Sequence, residues 1–328
     1  MIRTVLAVAV LAILAATAGC GEPEGTAARA DPAPSSPSSS PAPPSPAASA
    51  SASASTSAPP APAVPVPAGV KAGIAVYDRQ AGAFTVQHNV DQRFRSASLV
   101  KLFIAIDYLW SRESVPADEQ ARLDLMLSRS DDNAASHFYD LGGRSAIIGR
   151  MNQRLGLSGA AAVVPPTAPR TGWGSTEVSA AHLMRVYRYL LDEAPARIGQ
   201  YIVGRIRKGT FGKCGTDGYD QSFGIPAAFA GQPWAAKQGW YEFASAPKTC
   251  KSAAPASLPL DAAPAAPAVP AALAAPVDFN GEALHTTGIV GQNDRSIVVV
   301  LTVHPHGTSY AAATAAVTKL AGALPLTR

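Results

Sequence analysis

The chain has 328 residues, of which 47% are hydrophobic and 15% are charged, and its formal net charge is +4. This length and hydrophobic content are sufficient to bury a sizeable core. The lysines and arginines form no cluster, which argues against nucleic acid as a partner.

The first 20 residues are typical of an export signal. Arg3 gives a positive start, and 5–16 is an apolar run too short to span a bilayer. The end of this segment, Thr17-Ala18-Gly19-Cys20, resembles the lipobox of bacterial lipoproteins, although Thr17 stands where leucine is usual. The resemblance implies that Cys20 is lipidated and anchors the chain to the outer face of the cytoplasmic membrane of a bacterium. Plain secretion is the alternative if the lipobox is not used.

Residues 21–67 are almost wholly alanine, proline and serine. Such a segment cannot bury enough apolar surface to offset the entropy of ordering, so we expect a disordered linker. At about 3 Å per residue it could hold a domain on the order of 100 Å from its anchor. One domain is expected over 68–328.

The domain begins with a predicted hairpin, which is followed by helices. Strands are predicted at 73–78 and 83–88. Apolar periodicity and capping residues then predict helices at 98–110, 116–127, 133–140, 145–155, 178–193 and 196–207. A loop rich in proline and glycine, 156–175, separates two of these helices.

The pattern changes to strands towards the end of the chain. Strands are predicted at 234–241, 283–291 and 296–303, followed by a helix at 309–324. A second Ala/Pro-rich segment, about 251–275, is expected as an insertion on a hairpin loop. This order predicts an α+β fold, in which an antiparallel five-stranded sheet is flanked by N- and C-terminal helices and carries an inserted all-α region.

The helix predicted at 98–110 carries a buried hydroxyl and amine. After Ser98 it is apolar nearly all round except for Lys101 and Asp107, so it belongs in the middle of a domain. Ser98 and Lys101 share one helix face, with Ser96 as the expected cap. Burial disfavours a charged ammonium, so Lys101 is expected to act as a base that takes the proton of Ser98. A lysine that snorkels from a helix end is the alternative for this spacing alone.

The chain has three cysteines. With Cys20 assigned to the anchor, an exported chain favours a disulfide between Cys214 and Cys250, and two free thiols are the alternative. The histidines show no ligand spacing with cysteine or acidic residues, so neither a metal nor a cofactor is expected. His304 and His306, on either side of a proline after a strand, are expected to be exposed.

Three motifs in this order resemble the S-x-x-K, S-D-N and K-T-G motifs of class A β-lactamases and penicillin-binding proteins. They are Ser98-Leu99-Val100-Lys101, Ser130-Asp131-Asp132 and Lys237-Gln238-Gly239. The resemblance covers the chain from about Gly69 to its end. Taken alone, the second motif fits a helix cap and the third an exposed strand lysine.

The resemblance implies an acyl-transfer site. Ser98 would be the nucleophile, Lys101 its activator, Ser130 a proton relay to the leaving nitrogen, and Lys237 a positive charge for the substrate carboxylate. The resemblance also implies an oxyanion hole from the backbone N–H groups of Ser98 and Trp240. The substrate would be bound by Asp132, Gln238 and Gly239.

Three departures from the family pattern bear on activity. Asp132 stands where the family has asparagine, unless Asn133 takes that place, and an ionised aspartate cannot donate to a substrate amide. Gln238 replaces a serine or threonine. The loop 156–175 holds no aspartate or glutamate, although class A β-lactamases carry their deacylation base there. Glu177 lies too far along the chain to take this role and is expected in the first turn of the following helix. An acyl-enzyme at Ser98 would therefore hydrolyse slowly.

The leading interpretation is a serine acyl hydrolase that acts on a β-lactam or on a cell-wall-type amide such as that of peptidoglycan. A catalytically silent module that binds cell wall or protein on the same fold is the alternative, and a glutaminase-like amidohydrolase is a third possibility. The other expected partner is the membrane, through a lipid on Cys20.

Overall fold

The computed structural model describes residues 64–241, 243 and 277–326, all of which lie in one compact unit, Ala58–Arg328. The predicted export signal, most of the linker and the insertion at 251–275 lie outside the described residues and stay predictions. Cys20 and Cys250 also lie outside them, so lipidation and the Cys214–Cys250 pairing are untested. No helix in the described ranges is both long and apolar enough to cross a bilayer.

Seven strands are present in the described ranges. They are β1 (Lys71–Asp78), β2 (Ala83–His88), β3 (Phe94–Arg95), β4 (Glu177–Val178), β5 (Trp234–Tyr241), β6 (Glu282–Val290) and β7 (Ser296–His304). β3 and β4 pair with each other, and the other five form one antiparallel sheet in the order β2-β1-β7-β6-β5. The N-terminal hairpin therefore pairs with a strand from the C-terminal part of the chain, which confirms the predicted α+β fold.

The helices lie between β3 and β5 and after β7. They are α1 (Val100–Trp110), α2 (Ala117–Ser128), α3 (Asp132–Leu141), α4 (Ala146–Leu155), α5 (Ala180–Arg188), α6 (Ala196–Ile206), α7 (Ile225–Ala228) and α8 (Tyr310–Gly322). The helix predicted at 178–193 instead begins as strand β4 and ends in a π-helical turn, Tyr189–Glu193. α7, with four residues, is too short to show a helical period in the sequence.

The sheet is buried on both faces. In β7, Ile297 and Val299 belong to the apolar cluster that contains the inserted helices, whereas Val298 and Val300 belong to the cluster that contains α8. Because successive side chains of a strand point to opposite faces, a strand that reads as continuously apolar must be covered on both sides. His304 ends this strand and is buried, so the expectation that it is exposed was wrong.

Helix α1 runs through the centre of the domain. Its residues from Val100 to Leu109 are all buried, as expected for a helix that is apolar nearly all round. The one acidic residue among them, Asp107, accepts hydrogen bonds from Nε and Nη2 of Arg150 at 2.8 and 2.6 Å. This pairing offsets the cost of burying a carboxylate and ties α1 to α4.

Candidate active site

Ser98 lies where strand β3 leads into helix α1. A short 3-10 turn, Ala97–Leu99, carries it to the start of the helix. The Ser96 N–H donates to the Thr176 carbonyl at 2.7 Å and ties this turn to the chain just before β4. Ser96 occupies the N-cap position, but its hydroxyl makes no capping hydrogen bond.

Lys101 lies one helical turn beyond Ser98 and has no exposed surface. Its Nζ lies 2.9 Å from Oγ of Ser98, and 2.6 and 3.2 Å from the carbonyl oxygen and Oγ of Ser130. The same Nζ forms an ion pair with Oδ1 of Asp132 at 2.6 Å. The amine therefore contacts hydroxyl, carbonyl and carboxylate oxygens at once.

Ser130 and Lys237 reach this amine from two other parts of the fold. Ser130 precedes α3 and Lys237 lies in the middle of β5, and both are buried. Nζ of Lys237 lies 2.9 Å from Oγ of Ser130 and 3.0 Å from the Gln238 carbonyl. The four side chains form one continuous series of polar contacts from Ser98 to Lys237.

The backbone is strained on both sides of this series. Ala97 and Ser130 have φ angles of 45° and 55°, in the left-handed region that residues with a side chain rarely adopt. Such a conformation costs on the order of 1 kcal/mol or more and persists only where surrounding contacts enforce it. Strain of this kind is concentrated at functional sites.

Burial shifts the pKa values of two groups in the site. It lowers the pKa of Lys237 well below its usual range, and the positive charge of Lys101 adds to this effect, while Asp132 and Asp217 oppose it. Burial also raises the pKa of Asp217, with the charge of Asp132 acting in the same direction. Lys237 is therefore biased towards the neutral amine.

The side chains of Asp131 and Asp132 make different contacts. Oδ1 of Asp131 accepts a hydrogen bond from the Ala134 N–H at 2.6 Å and caps α3. The Asp132 side chain is 63% exposed, faces the cleft and contacts Lys101. Asp132 therefore lies at the cleft, whereas Asn133 is not among the residues that line it.

The side chain of Gln238 points away from the cleft. It has no exposed surface, and its Nε2 donates to the Gln221 carbonyl at 3.1 Å and to the Phe223 carbonyl at 2.5 Å. Successive side chains of a strand point to opposite faces of the sheet. The side chain of Lys237 points to the Ser98 side of the sheet, and that of Gln238 therefore points to the other face. The expected contact between this side chain and a substrate is not provided by the geometry.

Gly239 and Trp240 lie where β5 passes the Ser98 turn. A Cβ atom on Gly239 would lie 3.2 Å from the Ser96 carbonyl and 3.3 Å from Cγ of Leu99. The glycine therefore permits close packing of the strand on the turn. Trp240 lines the cleft, and its Nε1–H donates to Oδ2 of Asp217 at 3.0 Å.

The cleft has a volume of about 810 Å³. The loop at 156–175 contributes the residues from Pro169 to Ser175 to its lining, and none of these is acidic. The carboxylates that face the cleft are those of Asp132 and Asp217. In the described ranges, no group of three or more His, Cys, Asp or Glu residues is placed to hold a metal ion.

Glu177 lies in strand β4, so the expectation that it occupies the first turn of a helix was wrong. Helix α5 begins later, with Ser179 as its cap. Oε2 of Glu177 lies 3.9 Å from Nη1 of Arg93, and burial raises the pKa of this carboxyl group while Arg93 opposes the rise. Glu177 is not among the residues that line the cleft.

Two of the cleft residues that sequence reasoning missed contact residues of the candidate site. One is Asp217, from the irregular segment before α7; the other is Trp173, whose ring centroid lies 4.7 Å from Nζ of Lys101. The Trp173 Nε1–H donates to Oγ of Ser136 at 3.1 Å. Neither residue lies in a periodic segment. The sequence signal that could have identified Trp173 is its position in the loop 156–175, which the motifs place near Ser98.

No protein family model matches the chain. Related sequences include those of the mycobacterial protein LppW. The chain is 36% identical over 179 residues to LppW of Mycobacterium tuberculosis, a protein named as a lipoprotein. The match covers 52% of this chain and 54% of LppW. The chain therefore matches only about half the length of this relative.

Solved structures give a broader match. A class A β-lactamase from Mycobacterium abscessus is matched with a TM-score of 0.52 at 17% identity, over 77% of this chain and 92% of the other. PBP-A is matched with a TM-score of 0.53 at 14% identity, over 79% and 90%. A variant of PBP-A, solved as an acyl-enzyme complex with penicillin G, is matched at 0.52 and 14%, over 78% and 89%. The described chain thus has the fold of the class A β-lactamases and of PBP-A.

Proposed function

We propose that the chain is a serine acyl hydrolase in which Ser98 forms an acyl-enzyme with a β-lactam or a cell-wall-type amide, and in which that acyl-enzyme hydrolyses slowly. The observation that carries the proposal is the series of contacts through Ser98, Lys101, Ser130 and Lys237 at one cleft. Two hydroxyls and two amines brought together from α1, the start of α3 and β5 match the groups that acyl transfer to serine requires.

The contacts provide a route for the proton of the nucleophile. A neutral Lys237 amine accepts the proton of the Ser130 hydroxyl, 2.9 Å away, and Ser130 takes one from Lys101, 3.2 Å away. Lys101 is then a neutral amine 2.9 Å from Oγ of Ser98 and accepts its proton as the oxygen attacks the carbonyl carbon. On collapse of the tetrahedral intermediate, Ser130 returns a proton to the leaving nitrogen.

The outer edge of β5 supports the proposal of an oxyanion hole. The Lys208 N–H donates to the Trp234 carbonyl at 2.8 Å on this edge, and β5 is the last strand of the sheet. Because strand backbone groups alternate with period two, the N–H of Trp240 points to the same edge as that of Trp234. The Ser98 N–H lies in a first helical turn, where amides lack intrahelical partners, and this turn packs on β5. These two N–H groups are the proposed oxyanion hole.

Slow hydrolysis of the acyl-enzyme follows from the carboxylates of the site. Asp132 is paired with Lys101, and both oxygens of Asp217 accept hydrogen bonds, from Trp240 and from the Tyr219 N–H. The cleft-facing part of the loop supplies no other acid. Without a carboxylate on the loop to act as general base for water, deacylation is expected to be slower by a factor of about 100 to 10,000.

Labelling with a fluorescent penicillin tests this function. We expect a covalent label on the purified domain that persists through denaturing electrophoresis and is absent from Ser98→Ala. Mass spectrometry should place the adduct on the peptide that contains Ser98. Rapid release of the label would instead indicate an efficient β-lactamase.

A binding module without catalysis is the second candidate. The observation that favours it is the ion pair between Asp132 and Lys101, because a lysine held as an ammonium cannot accept the proton of Ser98. Absence of any covalent label, together with reversible binding of cell-wall peptides, would support this function over the first.

Export and lipid anchoring are also proposed. They are supported by the lipobox-like segment that ends at Cys20 and by the name of the relative LppW. Growth with an alkyne-tagged fatty acid should label the full chain and fail to label Cys20→Ser. Equal labelling of both forms would contradict the anchor.

A further inference from the structure

The cleft contains a carboxylate that the proposed acyl-transfer chemistry leaves open to a ligand. The side chain of Asp132 is 63% exposed, and only its Oδ1 contacts Lys101. An ionised carboxylate accepts hydrogen bonds on both oxygens and donates none. A ligand group beside Asp132 must therefore donate, and a positively charged donor gains most.

An aromatic ring lies beside this carboxylate. Asp132 and Ser136 are four residues apart on α3 and share one helix face. The Trp173 Nε1–H donates to Oγ of Ser136 at 3.1 Å, which holds the indole over that face. The Trp173 ring already accommodates one ammonium, that of Lys101, at 4.7 Å from its centroid. A carboxylate beside an indole face is a combination that binds ammonium groups.

The charges around Asp132 favour the same kind of ligand. Lys101 pairs with Oδ1 of Asp132, and burial raises the pKa of Asp217, which favours the uncharged form of that second carboxyl group. The cationic side chains Arg95 and Arg170, which also line the cleft, stack on the rings of Tyr241 and Phe279. The open carboxylate oxygen of Asp132 is therefore the group in this part of the cleft that attracts a cation.

We propose that Asp132 and Trp173 form a subsite for an ammonium group, so that the cleft selects amide substrates with a free amine near the acyl carbonyl. The expected difference in acylation rate rests on the proposed function, since it assumes that the substrate acylates Ser98. The subsite itself depends only on the contacts of Asp132 and Trp173.

Two penicillins that differ by a single amino group test the subsite. Ampicillin carries a primary amine on its side chain, penicillin G lacks it, and the two share every other group. Their acylation rate constants are measured by competition with the fluorescent penicillin. We expect ampicillin to react about tenfold faster than penicillin G, as one charge-assisted hydrogen bond provides. Equal rate constants in the unaltered protein would overturn the proposal.

Two variants locate the effect. Asp132→Asn should bring the ratio of the rate constants to about one, because an amide side chain no longer attracts a cation. Asp131→Asn removes the same charge one residue earlier, at a capping position that asparagine also fills, and should keep the ratio of the unaltered protein. A ratio that survives Asp132→Asn would remove Asp132 from the subsite.

Binding without acylation separates this proposal from the proposed function. Titration calorimetry of Ser98→Ala with each penicillin reports affinity when no covalent bond can form. If neither penicillin acylates the unaltered protein but ampicillin binds Ser98→Ala more tightly, the acyl hydrolase is wrong and the ammonium subsite stands. If the two affinities are equal, the subsite is wrong.

Discussion

The two sides of the cleft differ in how their polar groups are held. On one side, Ser98, Lys101, Ser130 and Lys237 are buried and joined by contacts of 2.9 to 3.2 Å. On the other, the loop at 156–175 lines the cleft with the residues from Pro169 to Ser175, none of which carries a carboxylate. The side that would form an acyl-enzyme is complete, and the side that would hydrolyse it is not. Under the proposed function, the cleft has the groups for acylation but no carboxylate on the loop for deacylation.

The largest expected effect comes from breaking the complete side. Lys101→Ala removes the amine that contacts both Ser98 and Ser130, and acylation by the fluorescent penicillin should slow by about 100- to 10,000-fold. The same substitution at the exposed Lys319 on α8 is the control and should change nothing. Undiminished labelling of a folded Lys101→Ala would show that the amine does not activate Ser98.

A smaller effect is expected from moving the strand away from the nucleophile. The Cβ atom of Gly239→Ala would meet the Ser96 carbonyl at 3.2 Å, tighter than most such contacts. Displacement of β5 from the Ser98 turn should slow acylation by about 10- to 100-fold. Gly231→Ala, where a Cβ atom meets open space, is the matched control. Equal rates for the two variants would mean that the strand tolerates the methyl group.

One buried histidine ties down each side of the cleft. On the complete side, Nε2–H of His285 donates to the Arg95 carbonyl at 2.8 Å, just before the Ser98 turn. On the loop side, Nε2–H of His182 donates to the Ala161 carbonyl at 2.9 Å. Burial lowers the pKa of each histidine to about 4.

These two pKa values predict a loss of stability in acid. Below about pH 6.5 the unfolded chain takes up protons at His285 and His182, whereas the folded chain does so only near pH 4. The free energy of unfolding should therefore fall as the pH drops through this window, by up to about 3 kcal/mol per histidine. Denaturant unfolding at several pH values measures the slope, and His285→Gln should flatten it. An unchanged slope would indicate that His285 takes up its proton at the same pH in the folded and the unfolded chain.

The smallest effect is expected at Glu177. Its carboxyl group lies near Arg93 and outside the cleft lining, so Glu177→Gln should leave both acylation and the lifetime of the label unchanged. A label that persists longer in this variant would identify Glu177 as the base for deacylation. The contrast between the two sides of the cleft would then be lost.

Much of the fold could be predicted from short-range patterns. The strands of β1, β2, β5, β6 and β7 follow from apolar runs and alternation, and α1 follows from an apolar stretch without glycine or proline. The irregular segments could not be predicted in this way. Asp217 and Trp173 lie in such segments and have no period to reveal which way they face. Their part in the cleft emerges only from the packing around it.

The amino-acid sequence alone determined the order of the long strands and helices. It also determined the pairing of Ser98 with Lys101, because helix geometry brings residues three apart onto one face. Only the tertiary structure decided that Ser130 and Lys237 meet that pair, that Asp132 contacts Lys101, and that Gln238 turns away. These contacts join residues far apart in the chain, and they depend on how closely the edge of β5 packs on the first turn of α1. Local periodicity carries no information about that distance.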